Sequence, residues 1–515
     1  MLAQAGIPLT GGFIGKLEVF SAVAQAKEYV ILVIGVLSGV ITLRAGGGAA
    51  TPATQRPAGT PMNLPLMLAA PVFIVFLVVL MGWASRSLIG ALETLAVRIP
   101  AVANLGWFAF ILISLIVPGV LIWFGAWTAK RVDTNKFSLH GMYRSRLIRA
   151  YLGASRPAGE RDPNPFTGFD NKDNVWLKDL WPLEAPFVEA ERKLFHVVNV
   201  ALNLVGGANL AWQQRKAESF TFSPLHCGAH NHGYRPTQRA KGDPVRRYYG
   251  GQDGASLGTA MTISGAAVSP NMGYHSSTVI SFLLTLFNVR LGWWLGNPGH
   301  AGREVYDRSY PDSSLKLIID EAEAHTDSKH PYVYLSDGGH FENLGLYEMV
   351  MRRCHTIVVS DGGCDPAGAF EDLGNAIRKI RVDFGIPIEF QEVKIYPRND
   401  EADVAAGKYC AIGSIRYSCV DDNAADGILV YIKPAFYGSE PKDVFNYAQT
   451  SKTFPHETTA DQFFSESQFE SYRVLGSHVV DQILGSWSPG ADPQLPPLAR
   501  LVRRAADYVD RPAVA

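Results

Sequence analysis

Apolar residues are spread unevenly along the 515-residue chain, and the unevenness divides it. Residues 2–43 carry few charges, yet Pro8 and the Gly11-Gly12 pair would interrupt a helix there. The apolar run 29–43 falls short of the roughly 20 residues needed to cross a bilayer. The segment lacks the charged start and small-residue cleavage site of a signal peptide. Residues 45–63, AGGGAATPATQRPAGTPMN, hold nothing to build a core from and read as a linker. Two longer uncharged runs follow, 66–83 and 105–127, both near the length of a membrane span. The second carries Trp107, Trp123 and Trp127 near its ends, as residues at a lipid interface would lie. Lys130 and Arg131 come next, with Arg144, Arg146 and Arg149 close behind. The two runs and that positive flank predict a multi-pass membrane protein with its C-terminal part in the cytoplasm.

Beyond residue 131 the pattern becomes globular. Residues 135–156 predict a basic helix, near lipid headgroups or with a solvated face. HVVNVALNL, 196–204, is a core strand or helix. TVISFLLTLFNVRLGWWL, 278–295, reads as one apolar helix, interfacial with Trp293 and Trp294 meeting lipid, or buried in a core. Arg290 inside it argues against a full span. Tyr332 to Leu335 predicts a buried strand broken by Ser336-Asp337-Gly338-Gly339, then a helix from about Asn343 to Arg353. A second strand, Cys354 to Ser360, ends in another Asp-Gly-Gly at 361–363. Strand, loop, helix and strand together predict an α/β unit, whose carboxyl ends are the usual place for chemistry. Asp337 holds that place. Strands are also expected at 386–396 and 427–433. A helix is expected over 461–484, with Phe463, Phe464 and Phe469 in the core, and a basic helix near Arg500.

Composition narrows the chemistry. A formal net charge of −1 gives no reason to expect a nucleic-acid partner. Five cysteines without a CxxC pair suggest no disulfide framework. The cluster His226, Cys227, His230 and His232 matches no familiar ligand spacing, so neither metal nor cofactor is expected. Arg246 and Arg247 with Tyr248 and Tyr249 read as surface. Ser256, in Gly254-Ala-Ser-Leu-Gly258, fits the nucleophile-elbow pattern, but polar YYGGQDGA precedes it where an apolar strand belongs. Asp337 taken by itself is either a turn or cap aspartate or a catalytic carboxylate.

The string SDGGHFENLGLYE, 336–348, resembles a bacterial membrane-associated branch of the patatin and cytosolic phospholipase families. NLVGGANLAWQQRKAESFTFSPLHCG, 203–228, and SLGTAMTISGAAVSPNMGY, 256–274, resemble the same branch. The resemblance covers about 66–500. It implies a partial three-layer α/β/α hydrolase domain, preceded by transmembrane helices, that cleaves membrane phospholipid or a related lipid ester. It implies a Ser-Asp dyad whose aspartate is Asp337, with Gly338 and Gly339 against the substrate. On the same alignment Ser256 caps a helix, and Ser264 and Ser269 lie in a structural loop.

The glycine-rich loop and serine elbow of that family are not found in this chain. Gly46-Gly47-Gly48 lacks a preceding strand and an arginine, and Ser38 sits inside an apolar run. Where the elbow belongs, AGIPLTGGFIGK and its neighbours at 2–43 resemble a broken helix from antiporter-like subunits of respiratory NADH-quinone oxidoreductase. Lys16 matches a membrane-embedded lysine there, although one broken helix supplies no proton path. The expected organisation is therefore a membrane segment at 1–44, a linker at 45–63 and transmembrane helices over 64–131. A hydrolase domain without its nucleophile half follows at 132–490, then a tail at 491–515. An inactive fused or truncated membrane protein is the alternative, and a respiratory fragment a further one.

Overall fold

The computed structural model describes residues 107–182, 194–207, 214–238, 248–251, 253–398, 407–458, 461, 464–485 and 494–511, with scattered positions in 79–98. The expected membrane segment 1–44 with Lys16, the linker 45–63, the elbow candidates at Ser38 and Gly46 to Gly48, Arg246, Arg247 and Phe463 lie outside them. The chain divides between Arg352 and Arg353 into two compact units.

The first unit opens on helix α1, Trp107–Ala129, which has no charged residue and contains Pro118. Among the described residues no helix is long and apolar enough to cross a membrane. Of the two expected spans, 66–83 lies outside the described residues but for its last positions, and 105–127 corresponds to α1, part of whose side chains are also outside them. Helix α2, His140–Leu147, runs directly into a π-helical turn over Ile148–Gly153.

Six strands follow in one sheet: β1 Val198–Asn203, β2 Ala217–Phe222, β3 His226–Ala229, β4 Gly233–Pro236, β5 Trp293–Gly296 and β6 Tyr332–Asp337. Their order is β4-β3-β2-β1-β6-β5, and every neighbouring pair is antiparallel. Three helices join this unit, α3 Leu257–Ser264, α4 Thr278–Leu286 and α5 Leu315–Ala322. Side chains alternate across a strand. One face of the sheet therefore offers Val200, Leu202, Phe220, Phe222, Val333 and Leu335, which pack with Leu257, Ala260 and Ile263 of α3 into the main core. The opposite face holds two smaller clusters, Ala201 with Ala217 and Phe341, and Tyr334 with Trp294 and Leu317.

The apolar stretch 278–295 is not one helix. It turns after Phe287, where Asn288 takes a left-handed φ of 54°, and ends as strand β5. Trp293 and Trp294 are buried in the sheet and meet no lipid. Arg290 explains the break, because it turns inward to pair with the fully buried Glu321 at 3.0 Å and to bond Thr134. A buried cation needs such partners.

After a short helix α6, Leu346–Met351, the second unit begins with β7, Thr356–Ser360. It continues through helix α7 Glu371–Phe384, strands β8 Ile388–Phe390, β9 Cys410–Ile415 and β10 Gly427–Ile432, and helices α8 Lys442–Thr450, α9 Glu466–Leu484 and α10 Pro497–Asp510. The sheet order is β7-β10-β9-β8, with β7 and β10 parallel and the other pairs antiparallel. Strands β6 and β7 thus belong to different sheets, and the expected strand–helix–strand unit within one sheet does not form. Both edges of β6 are already occupied, by β1 and β5. Phe464 and Phe469, expected in the core, are exposed, and the inward face of α9 is carried by Leu475, Val479 and Ile483.

Candidate active site

Asp337 is the last residue of β6, and strand parity puts it on the same face as Val333 and Leu335, the face that α3 covers. The chain then folds into a 3-10 turn, Gly338–His340, capped by Asp337 itself, whose Oδ1 accepts the Gly339 N–H at 2.8 Å. Both glycines stand where a Cβ would be crowded, Gly338 against backbone and Gly339 against a side-chain end. A Cβ on Gly338 would meet the Asn199 carbonyl oxygen at 2.9 Å, and one on Gly339 would meet Asn343 Oδ1 at 2.7 Å. Glu342 then holds the entry to α6, accepting from Leu344 N at 2.6 Å and Tyr347 N at 3.2 Å.

This turn forms one wall of a cavity of about 320 Å³. Asn199 of β1, Ser264 at the end of α3, Asn343 and Gly345 complete much of the lining, and none of the lining residues is a cation. Ser264 supplies the lining's only hydroxyl, and its Oγ donates to the Asn199 carbonyl at 2.8 Å. Asn199 Oδ1 is buried without a hydrogen-bond partner among the described residues. Burial pushes the Asp337 carboxyl up to about 6, opposed only by its bond from Gly339. Tyr143, whose hydroxyl lies close to Gly265, is raised by burial and by the charge of Asp337. One cavity is therefore lined by a carboxyl raised to about 6 and by a serine hydroxyl, the two kinds of group that proton abstraction from an alcohol needs.

The other predicted residues go elsewhere. Ser256 is the N-cap of α3, accepting the Thr259 N–H at 3.2 Å, and it does not line the cavity. Ser336, next to Asp337, points to the opposite face, where it is fully buried and bonded to His340 Nδ1 at 2.8 Å and Asn203 Nδ2 at 2.8 Å. Burial lowers His340 to about 4, so it is neutral in this pair. Cys227 is buried against Thr237, and His232 Nδ1 lies 2.8 Å from Glu218. Among the described residues no group of His, Cys, Asp and Glu is arranged to hold a metal. Tyr249, expected at the surface, is wholly buried and donates to the Gly296 carbonyl at 2.8 Å.

The second Asp-Gly-Gly repeats the turn without the chemistry. Asp361 accepts from Gly363 N at 2.8 Å, as Asp337 does from Gly339. It follows β7, however, and Lys433 Nζ sits 2.9 Å from its carboxylate, with the Tyr431 hydroxyl also donating. Burial raises the carboxyl, and these two donors outweigh it and bring it below the ordinary range. A paired carboxylate of this kind is structural; an unpaired one in a cavity is a candidate base.

Residues 1–42 match the family model described as NADH:quinone oxidoreductase/Mrp antiporter, TM. Over 42 residues the chain is 55% identical to the NADH-quinone oxidoreductase subunit N of Thermobifida fusca (strain YX). That stretch is 8% of this chain and 8% of the relative, so the chain spans a small part of the curated protein it matches. The N-terminal segment thus resembles an antiporter-like membrane subunit, which fits association with a membrane. Both matches stop before the sheet and the cavity.

Proposed function

We propose that residues 132–490 form a partial patatin-like α/β hydrolase domain and that its cavity is a low-rate lipid-ester hydrolase site. The observation that carries this reading is the joint presence in one cavity of Asp337, with its carboxyl near 6, and the Ser264 hydroxyl. In the proposed reaction Ser264 leaves the Asn199 carbonyl and gives its proton to Asp337, and its oxygen attacks the ester carbonyl. The alcohol departs with that proton, and water then cleaves the acyl–serine ester. Membrane phospholipid or a related lipid ester is the proposed substrate. Helix α1, without a charge and with Leu115, Ile122 and Trp123 turned outward, is the proposed contact with the bilayer that holds it.

A second reading has the comparisons on its side. The match over residues 1–42 supports reading that segment as a piece of a respiratory antiporter-like subunit, and on this second reading the rest of the chain has no enzymatic role. So short a piece supplies no pump by itself.

Fluorophosphonate labelling of the membrane-expressed chain separates the two. The hydrolase reading expects a labelled peptide containing Ser264. It also expects labelling to drop at least tenfold in Ser264→Ala and in Asp337→Asn, and to persist in Ser256→Ala. A folded chain that takes no label at Ser264 rules that reading out and leaves the second.

A further inference from the structure

Helices α4 and α5 are built the wrong way round for a protein surrounded by water. Helix α4 has no charged residue, and its one fully buried side chain is polar, Ser281, which donates to the Pro270 carbonyl. Its Val279, Phe282 and Leu286 are exposed, at the i, i+3, i+7 spacing of a single helix face. Helix α5 buries Glu321 together with Leu317 and exposes Leu315, Ile318 and Ile319. The two helices pack on one another, and each carries an outward apolar stripe. Isolated exposed apolar residues are ordinary, but adjoining helical stripes of them are not.

The surroundings of this face point to what covers it. Ser314, just ahead of α5, donates from both N and Oγ to the carbonyl of Ala129, the last residue of α1, at 2.9 and 3.0 Å. The face is thus anchored to the end of the uncharged helix. Asn288, just past α4, donates to the Phe137 carbonyl at 2.9 Å, which brings the exposed Phe137, Leu139 and Met142 alongside. At the same end stand Lys130, Arg131 and Lys136. The guanidinium of Arg131 lies over the Trp127 ring at 5.6 Å, and the Lys136 side chain is largely exposed beside Asp133. Apolar side chains bordered by cations, continuous with an uncharged helix, have the composition of a protein surface that rests on anionic lipid.

We propose that the α4–α5 face, with residues 137–142, is a lipid-binding surface that lies in the headgroup–acyl boundary of an anionic membrane. The proposal rests on the reading of α1 as the membrane contact. It takes the place of the expectation that Trp293 and Trp294 meet lipid.

The test reconstitutes the full chain in phosphatidylcholine–phosphatidylglycerol vesicles. Single nitroxides are placed by Phe282→Cys and Ile319→Cys, with Lys316→Cys as the comparison site on the same helix, in a background with Cys354, Cys364 and Cys419 changed to serine. Collision with oxygen several-fold above collision with a water-soluble nickel chelate is expected at 282 and 319, and the reverse at 316. Vesicle-bound chain with nickel prevailing at 282 and 319 overturns the surface while leaving α1 as the anchor. Dipolar broadening between labels on different chains overturns it in favour of a second copy as the occupant. A chain that does not float with vesicles removes the α1 reading and this one together, while fluorophosphonate labelling still reports separately on the cavity. On the unaltered chain, a diazirine-bearing phospholipid should cross-link to peptides 278–286 and 315–322. Cross-links confined to α1 would count against the proposal.

Discussion

Asp337 shows how one side chain's surroundings decide its chemistry. The same Asp-Gly-Gly turn occurs twice, and Lys433 beside Asp361 separates a structural carboxylate from a candidate base. The difference has a thermodynamic signature. The Asp337 carboxyl is near 6 in the fold against an ordinary 3.8, so the folded state holds its proton more tightly. Stability is therefore lost as pH rises from about 4 to about 6, by roughly 3 kcal/mol at about 1.4 kcal/mol per pKa unit. Asp337→Asn, which keeps an oxygen for Gly339 N, should unfold at higher denaturant than the parent above pH 6, with the gain vanishing near pH 4. Equilibrium urea unfolding at both pH values checks the sign. Any labelling of Ser264 should rise with pH through about 6, because the base works only when ionised. The turn itself was legible in the sequence, since two glycines after an apolar run leave few alternatives. Ser264 was not, because its place in the cavity that Asp337 lines depends on α3 packing on β1 and β6, a contact between residues far apart in the chain.

Among the elements, the apolar stretch 278–295 shows where sequence reading stops. Periodicity does not separate a short buried strand from a helix, and residues 278–286 and 293–296 take one form each. What divides them is Arg290, whose partner Glu321 comes 31 residues later. That pair sits in the interior, where Glu321 also accepts from the Trp294 indole. Burial raises the Glu321 carboxyl in spite of Arg290, so the guanidinium is what keeps its charge tolerable. Arg290→Met should cost about 3–5 kcal/mol by leaving that carboxylate unpaired. Arg290→Met with Glu321→Leu should recover much of the loss, as urea unfolding of both variants would show. The cap at Ser256 is worth less. Ser256→Ala should cost about 1 kcal/mol through the lost bond from Thr259 N, without touching the cavity.

For the molecule as a whole, the sequence marks the change from apolar first quarter to globular remainder, but not the division at Arg352, since two adjacent segments of similar composition carry no sign of separate sheets. Residues 1–42 resemble a different protein from anything read in the rest of the chain. Deleting residues 1–44 should leave labelling at Ser264 within about twofold of the full chain. A loss beyond tenfold would tie that segment to the site. The outward apolar stripes of α4 and α5 carry a kinetic consequence. A body held flat on lipid meets its ester by lateral diffusion in two dimensions, so its rate follows the mole fraction of ester in the surface rather than the concentration in the tube. Diluting the surface with an inert detergent, at constant total ester, should slow such a protein, and diluting the buffer should not.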